Sequence, residues 1–519
     1  MRRTVTVFRL VLRFVEPGGV GVPAPIGRDG DRETVHTLLD TDQYGSPHLP
    51  GTSVAGALRA GVRDRLGAER SDEWFGHLKE VDRSSETVDS VASPIRVLGS
   101  RLCRDRTGGP DPGDRSGRGD DVDRTDGTHD AGGGGGTDAT QAGHHLLARA
   151  STAVDRWRGA ARNSTLRVDQ LLPVGARIAV DLRWDDADPA DVEEFSGLLA
   201  TWSPLVGRGV SRGRGRCVVE ELRHGTLDLR RTDDLLLWTT SSGPALVERV
   251  AVTSVPVAPA DPRILFRVPL LVAGPFLVGG GQAARETTGQ GEDREICVPL
   301  REAGRFVVPG SALKGIVRSR AEFVLRSCRE AVGTAADQAG PLVCPSHGAD
   351  TGGVAGGTGP STDGNTGSDC GTCWCCEVFG HGGGRDESRS AVGSRAVVRF
   401  RDATVEDTRE VERTHVAVDR FTGGARENLL FTVRALEAGS FDLVVEDLGL
   451  PGSEREKFLA LVRLILQDLD DGLMGIGRGT ARGQGDVRVL WEEAEPSGVL
   501  PDRGRAQEIL RSWVTGARE

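Results

Sequence analysis

Three cysteines stand at 370, 373 and 376, and Cys344 lies upstream with His347 three residues beyond it. Thiolates at Cys-x2-Cys spacing, completed by a distant Cys or Cys-x2-His pair, are the donor set of tetrahedral zinc. The expected ligands are Cys344, Cys370, Cys373 and Cys376, with His347, Cys375 and His381 as substitutes. Such a site would tie together the ends of the Gly-, Thr-, Ser- and Asp-rich stretch 348–369, which is too polar to fold by itself. Nothing suggests an open coordination position beside a paired base, so the metal is expected to be structural. Nine cysteines, five of them between 344 and 376, suit a metal site in a reducing compartment better than a disulfide framework.

A second constellation is built from glycine and arginine. Gly207-Arg-Gly-Val-Ser-Arg-Gly-Arg-Gly215 and Gly477-Arg-Gly-Thr-Ala-Arg-Gly-Gln-Gly485 share the string GRGxxRGxG. Glycine lets backbone N–H groups approach a phosphate, and arginine adds a charged bidentate donor. Arg208, Arg212, Arg214, Arg478 and Arg482 are therefore candidates to grip an RNA backbone. Upstream, Pro50-Gly51-Thr52-Ser53 and Pro309-Gly310-Ser311 read as helix starts in which Ser53 and Ser311 belong to an N-capping, anion-binding turn. Arg59 and Arg63, like Lys314 and Arg318, fall four apart on one face of those helices. The competing reading makes the glycine loops plain turns and the arginines a solvated face.

These strings belong to a longer echo. Pro50–Arg59 reads against Pro309–Arg318, Phe75-Gly76-His77 against Phe379-Gly380-His381, and Ala153–Trp157 against Ala417–Phe421, all in the same order. The chain is one unit written twice. Each copy opens on a strand, 4–15 and 264–272. A helix follows, with Val54, Leu58, Val62 and Leu66, or Leu313, Val317, Ala321 and Leu325, on one face. Later come a strand with Ile178, Val180 and Leu182 (or Phe441, Leu443 and Val445) on one side, a helix at 189–202 or 453–469, the Gly-Arg loop and a last strand. The order predicts an α+β fold of two tandem ferredoxin-like, RRM-like domains with inserted β-hairpin arms. The expected divisions are 1–224, a linker at 225–262, a second domain at 263–495 with the zinc insertion at 344–381, and a C-terminal tail with a helix at 496–519. Residues 104–145, with nine Asp, five Arg and a run of five Gly, read as a disordered insertion.

The net charge of −11 argues against a uniformly basic nucleic-acid binder while leaving room for a local basic groove. The apolar stretch 4–15 contains Arg9 and Arg13 and is too short for a membrane span, so a cytoplasmic protein without a membrane partner is expected.

Pro-Gly-Ser-x-Leu-Lys-Gly opening a helix, then Phe-Gly, then Phe400-Arg401-Asp402-Ala403, then Val418-Asp419-Arg420-Phe421-Thr422, then GRGxxRGxG, resembles the RAMP superfamily of CRISPR-associated proteins. The nearest likeness is to the repeating backbone subunit of type III effector complexes, here as a tandem fusion. The resemblance is weaker in the first half, where only Ser93–Cys103 stands in for Phe-Arg-Asp-Ala. It implies an antiviral effector subunit that binds crRNA and complementary target RNA beside other CRISPR effector subunits. Segments 149–170 and 411–431 would be arms that splay a base, with Val154, Trp157 and Leu166, or Val418, Phe421 and Leu429, as wedges. It also implies a target-cutting carboxylate on the loop after the first strand. Counting back from Pro309 gives Asp293, with Glu292 and Glu295 beside it. In the first half the count falls at Thr34, near Asp31 and Glu33. Mg2+ would offset phosphate charge there. Two other readings stay open: a non-catalytic structural RNA-binding subunit, and a guide-processing endoribonuclease using His36, Tyr44 or His48.

Overall fold

The computed structural model describes residues 3–23, 27–29, 32–78, 90–103, 140–141, 144–156, 160–161, 165–287, 293–332, 342–344, 370–382, 393–496 and 498–516. The expected disordered tracts, together with Asp31, Glu292, Trp157 and His347, lie outside them or nearly so.

The first half is built on a five-stranded antiparallel sheet in the order Thr253–Ser254, Cys217–Asp228, Thr4–Phe14, Arg177–Asp185, Ile95–Leu102. The opening strand carries apolar residues on both faces, seven of its eleven positions, because both faces are covered. Phe8, Leu10, Leu12 and Phe14 join the main core, where Val54, Leu58 and Val62 of helix Gly51–Leu66 and Phe195 and Leu199 of helix Pro189–Ala200 meet them. Phe8, Trp74, Trp184 and Phe195 pack edge-to-face there, with ring centroids 5.2 to 5.6 Å apart. Val5 and Val7 point the other way and are sealed by Leu246, Val247 and Val250.

That second layer corrects one expectation. The segment read as a linker carries helices Thr232–Thr240 and Gly243–Val250 and the strand Thr253–Ser254, which adds to the sheet. Leu246, Val247 and Val250 fall at helical spacing, and their burial closes the back of the sheet.

The second half repeats the arrangement. Val487–Val489 pairs with Ile264–Val272, which pairs with the end of the long strand Ala425–Asp447, which pairs with Val398–Phe400. Helix Gly310–Val332 buries Leu313, Val317, Ala321 and Leu325 against this sheet, and helix Gly452–Asp470 buries Leu459, Val462, Leu466 and Leu469. Each of these leucines and valines contributes on the order of 1.5–3 kcal/mol of transfer free energy. Helix Arg503–Thr515 packs on this layer. Ala403–Val418 and Ala425–Asp447 run together as a long antiparallel arm.

The echoed Phe-Gly pair stops a helix in each half. Gly76 and Gly380 follow helices Ala68–Phe75 and Trp374–Phe379 at φ +69 and +73. A Cβ on Gly76 would lie 2.1 Å from the Val91 carbonyl oxygen, so no other residue fits. Among the described residues no helix is long and apolar enough to cross a membrane.

Candidate nucleic-acid interface and metal centre

The glycines of both Gly-Arg loops are first of all conformational. Gly207, Gly209, Gly213 and Gly215 have φ between +75 and +86, and Gly477, Gly479, Gly483 and Gly485 between +71 and +98. The loops also pass close to their own framework: a Cβ would lie 1.9 Å from Gly19 O at Gly207 and 2.4 Å from Leu277 O at Gly477. Each loop wraps one turn of 3-10 helix, Val210–Arg212 in the first and Thr480–Arg482 in the second. Identical backbones therefore carry the arginines.

The first loop lies where the halves meet. The Lys314 ammonium donates to Ser211 Oγ at 2.8 Å, and Arg399 Nε donates to the Val210 carbonyl at 2.7 Å. Beneath it sits a buried ion cluster from both halves. Arg399 bonds Glu16 and Glu446 (2.9 Å to the latter), Arg216 bonds Glu446, and Arg401 reaches both carboxylates at 3.5 and 3.7 Å. Nearby, Arg149 of the first half is held by Glu302 and Asp402 of the second. The groups are paired, as burial of charge requires.

Above this cluster the balance changes. Arg214, expected as an RNA contact, is buried and bonded to Asp169 at 2.6 Å. Burial pushes Asp169 up, yet the hydrogen bond and charge of Arg214 pull it further down, below the usual carboxylate range. Arg212 has no such partner: among the described residues no side-chain hydrogen bond or ion pair reaches its guanidinium. Burial, then the neighbouring Arg167 and Arg214, push its pKa down to about 10, so it stays cationic at neutral pH. Arg167 Nε is buried without a hydrogen-bond partner, and exposed Arg208 touches Thr37 Oγ1 at 3.4 Å. Arg167, Arg208 and Arg212 thus form a cationic group in excess of its carboxylates. Arg167 sits in the segment expected as an arm, and nothing in its local sequence marks it.

The second loop is open. Arg478 and Arg482 are exposed, with Arg478 Nη1 2.8 Å from Cys297 Sγ. Its backbone bonds stay in its own half, to Leu277 O and Pro275 O.

The helix starts depart from expectation. The first residue of each helix is the glycine, and the Pro50 carbonyl, rather than a Ser53 hydroxyl, closes the first turn, with no side-chain cap bond. In the second half Gly310 N–H donates to Asp402 Oδ1 at 2.7 Å, so a carboxylate of this chain already occupies the dipole end that Ser311 was expected to offer. Asp402 comes from the Phe-Arg-Asp-Ala string, whose sequence gives no sign of this partner. Arg59 pairs with Asp72 at 2.7 Å, and Arg63 is exposed.

Arg318 is the clearest correction: it is buried, not presented to a ligand. It donates to Glu322 (3.0 Å), to the Gly380 carbonyl (2.8 Å) and to Cys376 Sγ (3.5 Å). Four-residue spacing from Lys314 names a helix face, but here that face meets the cysteine cluster.

The Sγ atoms of Cys344, Cys370, Cys373 and Cys376 all lie within 4.8 Å of one another. Cys344 is 3.7 Å from Cys373 and 3.5 Å from Cys376. Four bonds of about 2.3 Å to one tetrahedral zinc place sulfurs about 3.8 Å apart, so the donor set fits such an ion. Contact with Cys344 and Cys376, together with burial, raises the Cys373 thiol; a bound cation would reverse this by taking up thiolates. Backbone N–H groups of Cys370 and Cys376 point at Cys344 and Cys373 Sγ, each at 3.4 Å. Cys375 is fully buried but outside the group, and the His381 ring lies by Gly371 and the Gly382 carbonyl. The four cysteines could hold a metal such as zinc.

Of the carboxylate candidates, Glu33 and Glu295 are described in their backbones alone, and so is Asp293. It begins strand Asp293–Pro299 opposite Thr287, three residues before Ile296, which pairs with Thr432 of the long arm strand. At the arms, Phe421 is fully exposed in a turn whose N–H groups at 421 and 422 bond Asp419 Oδ1, and Val418 and Val154 are more than half exposed. Tyr44 is exposed, while His48 faces Asp40 at 3.7 Å.

A comparison with curated proteins finds no match. A family model of the RAMP superfamily matches residues 18–218 and again 270–488, one match for each repeated half. Those spans hold both Gly-Arg loops, both helix starts and the cysteine cluster, and cover most of the chain: it belongs to the RAMP superfamily.

Proposed function

We propose that this chain binds CRISPR RNA as a backbone subunit of a type III effector complex, with one strand held along both halves. Membership of the superfamily suggests a CRISPR-associated RNA-binding role in general terms. The observation that carries the finer reading is the arginine crowd of the first loop. Arg212 is held, half-buried, against Arg167 and Arg214, and among the described residues no counter-ion is bonded to it. A polyanion backbone is the ligand that relieves such crowding. The sheet order, with the last strand of each half beside the first, supports the ferredoxin-like reading, and the exposed Phe421 suits a base-splaying arm.

The test separates ligand binding from folding. Arg212→Met removes a repelling charge, so thermal stability should hold or rise. Affinity for labelled single-stranded RNA should fall, with the salt slope shallower by about 0.7 for each phosphate no longer neutralised. A variant that melts earlier and binds RNA unchanged would assign Arg212 to the framework instead.

A second reading adds cleavage of complementary RNA by Asp293. Its support is positional: the strand that Asp293 opens runs beside the arm strand at Ile296 and Thr432. Incubating the assembled complex with complementary RNA and Mg2+ tests it, since Asp293→Ala should abolish cutting and spare binding. Cutting of precursor guide RNA by the chain alone would favour the processing reading.

A further inference from the structure

Arg318, Ser319 and Glu322 lie on consecutive turns of helix Gly310–Val332, between the cysteine cluster of the second half and an arm of the first. On the cluster side, Arg318 Nη2 is 3.5 Å from Cys376 Sγ. On its other side Arg318 Nε is 3.0 Å from Glu322 Oε1. The second oxygen of Glu322 is 3.0 Å from Arg156 Nε, and Ser319 Oγ donates to the Arg156 carbonyl at 3.5 Å. Arg156 belongs to the turn that follows Val154–Asp155, a strand paired with Ala160–Ala161. Glu322 is 3% exposed, so this relay runs through a region of low dielectric.

We propose that the metal state of the cysteine cluster sets the position of the first-half arm through Arg318, Glu322 and Arg156, so that metal and arm are energetically coupled. The inference rests on the thiolate site and not on the RNA-binding reading. A divalent ion with four thiolates carries a net charge of roughly −2. That charge draws Arg318 toward Cys376 and leaves Glu322 available to Arg156. With the metal gone, Cys376 and the nearby Gly380 carbonyl are no longer held in place for Arg318, which turns to Glu322, and the hold on Arg156 weakens. Read in reverse, removing Arg156 leaves the Glu322 carboxylate less compensated beside an anionic centre, which repels it and loosens the metal. Linkage requires the two effects to match in size.

The experiment uses the full chain loaded with zinc. Zinc transfer to a chromophoric chelator is timed for the wild type, Arg156→Ala, Arg156→Lys and Glu322→Gln. Amide hydrogen exchange is followed at 151–156 with and without zinc, with strand Thr4–Phe14 as internal reference. Arg156→Ala should raise the apparent zinc dissociation constant about fivefold or more, and Arg156→Lys should restore most of it. Glu322→Gln removes the carboxylate that competes for Arg318 and repels the centre, so it should slow zinc loss, opposite in direction to Arg156→Ala. Stripping zinc should speed exchange in the arm but not in Thr4–Phe14. Unchanged zinc retention in Arg156→Ala overturns the proposal, as does an arm whose exchange is the same with and without metal. If stripping also exposes Thr4–Phe14, or Glu322→Gln does not fold, zinc retention in the two Arg156 variants decides alone.

Discussion

The two Gly-Arg loops have the same string, the same four left-handed glycines and the same turn of 3-10 helix, yet they occupy opposite situations. The first is docked by Lys314, Arg399 and the buried carboxylates Glu16 and Glu446, and its third arginine, Arg214, is spent on Asp169. The second presents Arg478 and Arg482 to solvent and has Gln484 where the first has Arg214. The backbone of the motif is fixed by local sterics, whereas the task of each arginine is set by what stands next to it.

The comparison breaks most easily at the pins under the first loop. Glu446→Ala would leave Arg216 and Arg399 buried without their shared carboxylate, an expected loss of about 3–5 kcal/mol in urea denaturation. Arg482→Ala in the open loop should stay within about 0.5 kcal/mol. Glycine substitutions sharpen the contrast. Gly207→Ala, with its Cβ 1.9 Å from Gly19 O, should cost more than the about 1–2 kcal/mol of a left-handed alanine, by melting or denaturant. At Gly483 no atom of the described residues lies within 4 Å of an added Cβ, so Gly483→Ala should cost the conformational part alone. The smallest effect concerns pH. Because the folded pKa of Asp169 is depressed, its contribution is complete above the unfolded value of about 3.9 and fades as pH falls through the lower folded value. Asp169→Asn should remove that acid-limb dependence from stability measured against pH.

What can be read in the chain follows from how far each signal reaches. Apolar spacing locates the helices that bury Leu313, Val317, Ala321 and Leu325 or Leu459, Val462, Leu466 and Leu469, because periodicity is a local property. The cysteines are legible because two ligand spacings lie within one turn of chain and the fourth donor is also a thiol. The destinations of charged residues are not. Arg399 bonds a glutamate 383 positions away, and Arg318 faces Cys376, 58 positions downstream, so neither partner leaves a trace in local pattern. The connector hides its structure for a related reason: its short helices are stabilised by Val5 and Val7, at the far end of the half.

One consequence of the join between halves concerns direction. The first loop packs on the helix start of the second half, through Ser211 and Lys314, but the second loop makes its backbone bonds at home, to Pro275 and Leu277. An exact two-fold pair would have made both contacts, so the halves, for all their likeness, are joined without that symmetry. The join therefore has a direction: a loop of the first half covers a helix start of the second, and among the described residues no hydrogen bond of the second Gly-Arg loop runs back.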